Sequence, residues 1–460
     1  MTLLLNRKTS HDTQTCYLPE RFDVNLKLVH PRKSSLLTWT SMINIIPMPM
    51  HLNQEQLTRE AALLIFCDPL PEKCSRLQVL SEKEWGKLLR WLDINGLALY
   101  FLDRLIELRL NSMLPSSILA RLQQNLCDNR ERTQGMIAES ISIQEQFQEA
   151  GLSHAVLKGF SLCPDSVPKA ELRSQFDLDF LIAEKSVHEA RQILERKGYH
   201  LCAISGRSWE FKTNAEPGEY LKDLYKDLPF RSVELHVEAT TPSRPSLLDR
   251  IEKREFHGIS MHALSPVDLF LGHGLHVYHH VASEYSRASH LLEFRRHVLA
   301  RSDDGAFWAK LQTAAAENPR ASLGLGVVTL LVTRLMGDFA PTAFTRWTVQ
   351  SLPDFVQLWV EMYGCPAVFK NRNKQYLLLQ KELESVGIPA RRSLRQALLP
   401  SRMPPTFRWT PTSKTFSARI RHYRRVLNFI LFRLHFHIIE GVRYIWETYR
   451  WRRQMNRLAR

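Results

Sequence analysis

The stretch from His154 to Ile182, HAVLKGFSLCPDSVPKAELRSQFDLDFLI, limits most tightly what this chain can fold into. A short apolar run, Ala155-Val156-Leu157, stops at Lys158-Gly159. The stretch closes with Phe176-Asp177-Leu178-Asp179-Phe180-Leu181-Ile182, an apolar strand pattern interrupted by two carboxylates. In a strand, residues i and i+2 point to the same face, so Asp177 and Asp179 project side by side. Like charges so placed are costly unless a proton is shared or a cation sits between them. A hard divalent ion held by oxygen ligands resolves the conflict. Taken alone, an Asp-x-Asp at a strand end also fits a solvated sheet edge, so its meaning depends on what the rest of the chain supplies.

Residues 1–52 carry no sustained period and are rich in Pro, Ser, Thr and Asn, which reads as a poorly ordered extension. Residues 53–150 read as a helical lead-in. Trp85, Leu88, Leu89, Trp91 and Leu92 lie on one helical face, and Leu97, Leu99, Phe101, Leu102 and Leu105 continue an apolar register. Pro115-Ser116-Ser117 opens a further helix that Gly151 ends. A mixed α/β segment, 151–245, follows. Ser186 is placed to cap a helix running to Lys197, and strands are expected at Tyr199–Ile204, Trp209–Thr213 and Arg231–Val237. Beyond Pro245 the chain is expected to turn helical again, with Ser265-Pro266 as a capped helix start, giving a helical domain over 246–390.

The strand Ser232-Val233-Glu234-Leu235-His236-Val237-Glu238 puts Glu234, His236 and Glu238 on one face. Asp177, Asp179 and Glu234, from two neighbouring strands, can therefore converge on one or two magnesium ions. A nucleoside triphosphate needs such ions to screen its phosphates and set the α-phosphorus for in-line attack. Gly159 after the first strand lets backbone amides approach a phosphate with no Cβ in the way. His236 fits either a site residue or a hydrogen-bonded structural histidine.

The ordered set Leu157-Lys158-Gly159, Arg173, Asp177-Leu178-Asp179-Phe180-Leu181-Ile182 and Glu234-Leu235-His236, followed by a helix carrying His276 and His280, resembles the uncharacterised nucleotidyltransferase family of the polymerase-β-like superfamily. The resemblance spans roughly residues 55–400. It implies an α+β fold, a small mixed β-sheet core flanked by largely helical N- and C-terminal regions. It also implies a magnesium-dependent transfer of a nucleoside monophosphate from an NTP to an acceptor: protein, RNA or small molecule. By resemblance, Asp177, Asp179 and Glu234 hold Mg2+ or Mn2+ and carry catalysis, while Lys158, Gly159, Ser161 and Arg173 bind the nucleotide. Phe160 and Phe176 stand where superfamily members commonly carry small residues, which predicts a narrower pocket. The alternative is a catalytically degenerate nucleotide-binding or interaction protein on the same fold.

Two features fall outside that set. His273, His276 and His280 share a helical face, a spacing that suits zinc as well as polar packing, and His279 adjoins them. The net charge of +15 is carried wholly by residues 391–460, where 17 Lys and Arg face only Glu440 and Glu447; the remainder is balanced. That segment ends in an expected helix, Phe416–Leu458, with Val426, Leu427, Phe429, Ile430, Leu431, Leu434, Ile438 and Ile439 between Arg-rich ends. It fits either a packed helix with a solvated arginine face or an anionic partner, a membrane surface or nucleic acid. Seven scattered cysteines with no Cys-x-x-Cys pair indicate neither a disulfide framework nor a cysteine zinc site. With no secretory pattern at the N-terminus and no long uncharged apolar run, the expected location is the cytoplasm, peripheral at the membrane if the basic helix engages it.

Overall fold

A computed structural model describes residues 53–214, 221–238, 245–283, 286–370, 374–389, 393–398 and 416–460. The expected N-terminal extension, and most of the Pro-rich run before the C-terminal helix, lie outside the described residues. The architecture is the expected α+β one, a single mixed sheet between helical regions. Its strands are β1 (His154–Leu157), β2 (Asp177–Ala183), β3 (Tyr199–Ser205), β4 (Ser208–Thr213), β5 (Ser232–Glu238), β6 (Glu252–Phe256) and β7 (Ile259–Ala263), in the order β3-β4-β5-β2-β1-β7-β6. β2 runs antiparallel to β1 and parallel to β5, and β1 is parallel to β7.

The β6–β7 hairpin corrects the expectation that the chain is helical beyond Pro245. β6 is Glu-Lys-Arg-Glu-Phe, a charged edge strand whose composition hides it, because edge strands need little apolar surface. The turn itself was readable: His257 (φ 50°) and Gly258 (φ 79°) both adopt the left-handed region that a two-residue hairpin turn requires. A smaller correction concerns Ser186, which ends a short 3-10 turn, Glu184–Ser186, and makes no side-chain cap on the helix Val187–Arg196. Ser265 does cap its helix, Pro266–Val281, accepting from the Asp268 amide with Pro266 at the first turn.

Strand alternation divides the sheet into two environments. Leu178, Phe180 and Ile182 of β2, with Val233, Leu235 and Val237 of β5, pack on the helices Ser116–Glu149 and Val187–Arg196. Phe180 is fully buried and meets Phe147 edge-on, ring centroids 5.6 Å apart. The opposite face carries Asp177, Asp179 and Leu181, with Ala155 and Leu157 of β1; its apolar members join the larger helical core. The 34-residue helix Ser116–Glu149 serves both cores, placing Ile118 and Leu122 in the helical one and Met136, Ile143 and Phe147 under the sheet.

The C-terminal helix, Phe416–Leu458, packs through Phe436, Glu440, Tyr444, Glu447 and Trp451 rather than through its apolar run. Tyr363 donates to Glu447 Oε2 at 3.0 Å, and Trp451 Nε1 donates to Glu382 Oε1 at 3.0 Å. Leu427, Ile430, Leu431, Leu434, Ile438 and Ile439 stay exposed.

Phe180→Ala removes the ring that ties β2 to the helices beneath it. The expected loss is ~3–5 kcal/mol, as for other buried aromatics truncated to alanine, read from urea unfolding midpoints; a loss below ~1 kcal/mol contradicts the packing described.

Candidate active site

Parallel pairing of β2 with β5 sets Asp179 opposite Glu234, and antiparallel pairing of β2 with β1 sets it opposite Leu157, the residue before Lys158. The register therefore gathers side chains from three strand ends. Lys158 Nζ donates to Asp179 Oδ1 at 2.9 Å, and His236 Nε2 lies 2.8 Å from the same oxygen. His236 Nε2 is 3.6 Å from Glu234 Oε2, and Ser208 on β4 donates to the other Glu234 oxygen. One ligand atom from each of Asp179, Glu234 and His236 falls within 4.8 Å of the other two. Glu238, on the same strand face, instead anchors the next loop by accepting from Ser246 Oγ and the Leu247 amide.

The charges explain the arrangement. Burial alone pushes the Asp179 carboxyl up, but the Lys158 ammonium and the His236 hydrogen bond outweigh it and hold Asp179 below the ordinary carboxylate range. Asp177 moves the other way, raised first by desolvation and then by the Asp179 charge two residues on. Burial pushes Glu234 up to about 7; His236 opposes the rise and Asp179 adds to it. Two partly buried carboxyls held against their preference to ionise beside a third that is ionised form a donor set that a divalent cation fits. Asp179, Glu234 and His236 are the residues that could hold one. Asp177 shares their face of the sheet but stands outside that group of three.

Asp177 instead opens onto a cleft lined with Arg173, Gln175, Arg287, His290 and Glu293. Arg173 Nε donates to Glu293 Oε1 at 3.1 Å, and Tyr100 donates to the same oxygen. The loop that carries Arg173 is fastened from below by Asn129, whose Nδ2 donates to the carbonyls of Glu171 and Arg173. Lys158 and Gly159 both adopt positive φ, 50° and 45°, so the turn leaving β1 is left-handed at two successive residues. A Cβ on Gly159 would lie 2.4 Å from Gln175 Nε2, and that nitrogen donates to the Asp177 carbonyl. The room left by the glycine is thus taken by the Gln175 carboxamide. Ser161 is buried and donates to the Lys158 carbonyl at 2.7 Å, closing the turn.

Of the two bulky residues expected to narrow the pocket, Phe160 turns away into the core and packs on Phe256, centroids 5.5 Å apart. Phe176 stays at the cleft, with the Arg132 guanidinium 4.6 Å from its ring centroid. The histidine helix is corrected in one member. His273 is buried between Phe294 and His297, whereas His276 and His280 meet His290 of the helix Ala288–Ala300. Gln175, Arg287, His290 and Glu293 were missed by sequence reasoning; only Gln175, two residues before Asp177, lay close enough to the motif to be found.

The raised Glu234 makes a signed prediction for metal-free protein. Its protonated form contributes stability that is full below the unfolded value of 4.5 and is lost as pH rises through about 7. Glu234→Gln removes that loss. Urea midpoints measured in chelator should fall between pH 5 and pH 8 by more in the wild type than in the variant, and equal falls contradict the environment assigned to Glu234.

Comparison with known proteins gives a family match and a structural one. The family described as uncharacterised nucleotidyltransferase matches residues 81–337. The crystal structure of an antigenic nucleotidyltransferase-like protein from Paracoccidioides brasiliensis matches at 14% identity and a TM-score of 0.27, covering 42% of this chain and 92% of that one. No match was found among curated proteins. The matched region takes in the strand of the Asp-x-Asp motif, the Glu-x-His strand and the histidine helix, more than half of the sequence, and the chain belongs to the uncharacterised nucleotidyltransferase family.

Proposed function

We propose that this chain transfers a nucleoside monophosphate from an NTP to an acceptor, using Mg2+ or Mn2+ held by Asp179 and Glu234 with Asp177 beside them. The observation that carries the reading is the convergence of Asp179, Glu234 and His236 at the end of Lys158, next to a cleft bearing Arg173 and Arg287. An imidazole in the set suits Mn2+ better than Mg2+, which prefers oxygen throughout. When bound, the divalent ion screens the phosphates and polarises the α-phosphoryl group. The chain's own groups do the rest. Lys158 and Arg173 bind phosphate oxygens, with Gln175 withdrawing from Gly159 to admit them, and Ser161 keeps the turn closed. One carboxylate of the three takes the acceptor proton as the acceptor–phosphorus bond forms and the bond to pyrophosphate breaks.

A second reading, nucleotide binding without turnover, is favoured by the Gln175 carboxamide packed over Gly159 and by Lys158 and His236 both engaging Asp179 Oδ1. The two readings part in one experiment. With Mn2+, each NTP and cell extract as acceptor source, wild-type protein should release pyrophosphate, and Asp179→Asn or Asp177→Asn should lower release by about 100-fold or more, as loss of a charge-stabilising group does. Calorimetric NTP binding with no release in the wild type selects the second reading, and release unchanged in either variant removes the first.

The partner reading of the C-terminal helix is also a proposal: it lies on an anionic lipid surface. Leu427, Leu431, Leu434, Ile438, Val442 and Ile445 form one exposed stripe at helical spacing, each more than half exposed. The helix's two acids, Glu440 and Glu447, are turned inward, so the outward surface combines apolar side chains with arginines such as Arg424, Arg452 and Arg453. Aliphatic exposure of this kind favours lipid over nucleic acid, whose backbone offers it nothing to bury against. None of the helices among the described residues is long and apolar enough to cross a membrane. The protein should cosediment with phosphatidylserine vesicles and not with phosphatidylcholine ones, and the double substitution Leu431→Asp with Leu434→Asp should weaken binding by roughly tenfold or more. Unchanged vesicle binding by that variant, or retention only by DNA, overturns the lipid assignment.

A further inference from the structure

We infer that His276, His280 and His290 form a second metal site, one for a zinc-class transition ion, separate from the carboxylate set and bordering the cleft through His290. His276 and His280 stand one turn apart on Pro266–Val281, and His290 comes from the next helix, Ala288–Ala300. Their ring centroids are 4.6 Å (His276–His280), 5.1 Å (His276–His290) and 4.6 Å (His280–His290) apart. One ring nitrogen from each lies within 4.8 Å of the other two. Three converging imidazoles with no carboxylate among them are the donor set of zinc and its neighbours, not of magnesium or calcium.

Independent observations point the same way. His290 is 5% exposed and its Nδ1 has no hydrogen-bond partner, a buried polar atom left for a ligand. Other groups facing the cluster are His273, Lys158, Arg173 and Arg287. Lys158 is paired with Asp179 and Arg173 with Glu293, which reduces their opposition to a further cation. His290 also lines the cleft that Asp177 opens onto, so the site borders that cleft on one side. The site does not depend on the transferase reading, since its donors are all outside the carboxylate set.

The test uses the full chain, stripped with chelator and titrated with Zn2+ or Co2+ in the presence of millimolar Mg2+. One equivalent should bind, with the visible absorption of nitrogen-ligated Co2+. His280→Ala and His290→Ala should each weaken Kd beyond the ~10–100-fold that loss of a mere supporting partner costs. Asp179→Asn should leave the site's affinity unchanged. His280, the less buried of the two, keeps the test meaningful if His290→Ala fails to fold, and circular dichroism reports folding for each variant. No retained ion in the wild type, full affinity in folded His280→Ala, or loss of the ion in folded Asp179→Asn overturns the assignment.

Discussion

The parallel pairing of β2 with β5 is the constraint on which the site depends. It sets Asp179 directly across from Glu234 and brings His236 to the same carboxylate, while β1 on the other side delivers Lys158. A one-residue slip of β2 against β5 would turn its acids to the opposite face, among Val233, Leu235 and Val237, where a charge has no partner. The apolar residues that alternate with the acids therefore fix the register, and the register fixes the chemistry. Packing under one face of the sheet is what holds the polar groups together on the other.

The helical region completes that polar face. Glu293 fixes Arg173, and Arg287 and His290 line the cleft that Asp177 opens onto. Their helix is itself held at its start by the buried Asn95, whose side-chain and backbone oxygens accept from the Ala288 and Ser289 amides. The site is thus a seam between two cores, with carboxylates and Lys158 from the sheet and guanidinium and imidazole groups from loops and helices. Such seams between packed units are where ligand sites commonly form.

Much of this was legible in the sequence, for definite reasons. Strand alternation exposed Asp177 and Asp179, and the break at Lys158-Gly159 marked a turn that does adopt positive φ. Several of the strands and helices followed from the same patterns, and the resemblance implied their arrangement as a mixed sheet between helical regions. What stayed hidden depended on contacts between elements. The β6–β7 hairpin is a charged edge unit with little apolar alternation, and only His257-Gly258 signalled it. Helical spacing grouped His273 with His276 and His280, but spacing within one helix carries no information about a neighbour, and His290 takes that place. The C-terminal helix shows the same limit. Its apolar stretch left packing and an anionic partner both open, and the buried contacts run instead through Phe436, Tyr444 and Trp451, assisted by two glutamates.

The carboxylate set's role is tested most directly by anomalous diffraction from crystals of the full chain grown with Mn2+ and a non-hydrolysable NTP. The account predicts manganese bound between the Asp179 and Glu234 carboxylates, with the phosphates lying over the Lys158-Gly159 turn. Nucleotide ordered elsewhere, or manganese found only at His276, His280 and His290, would contradict it.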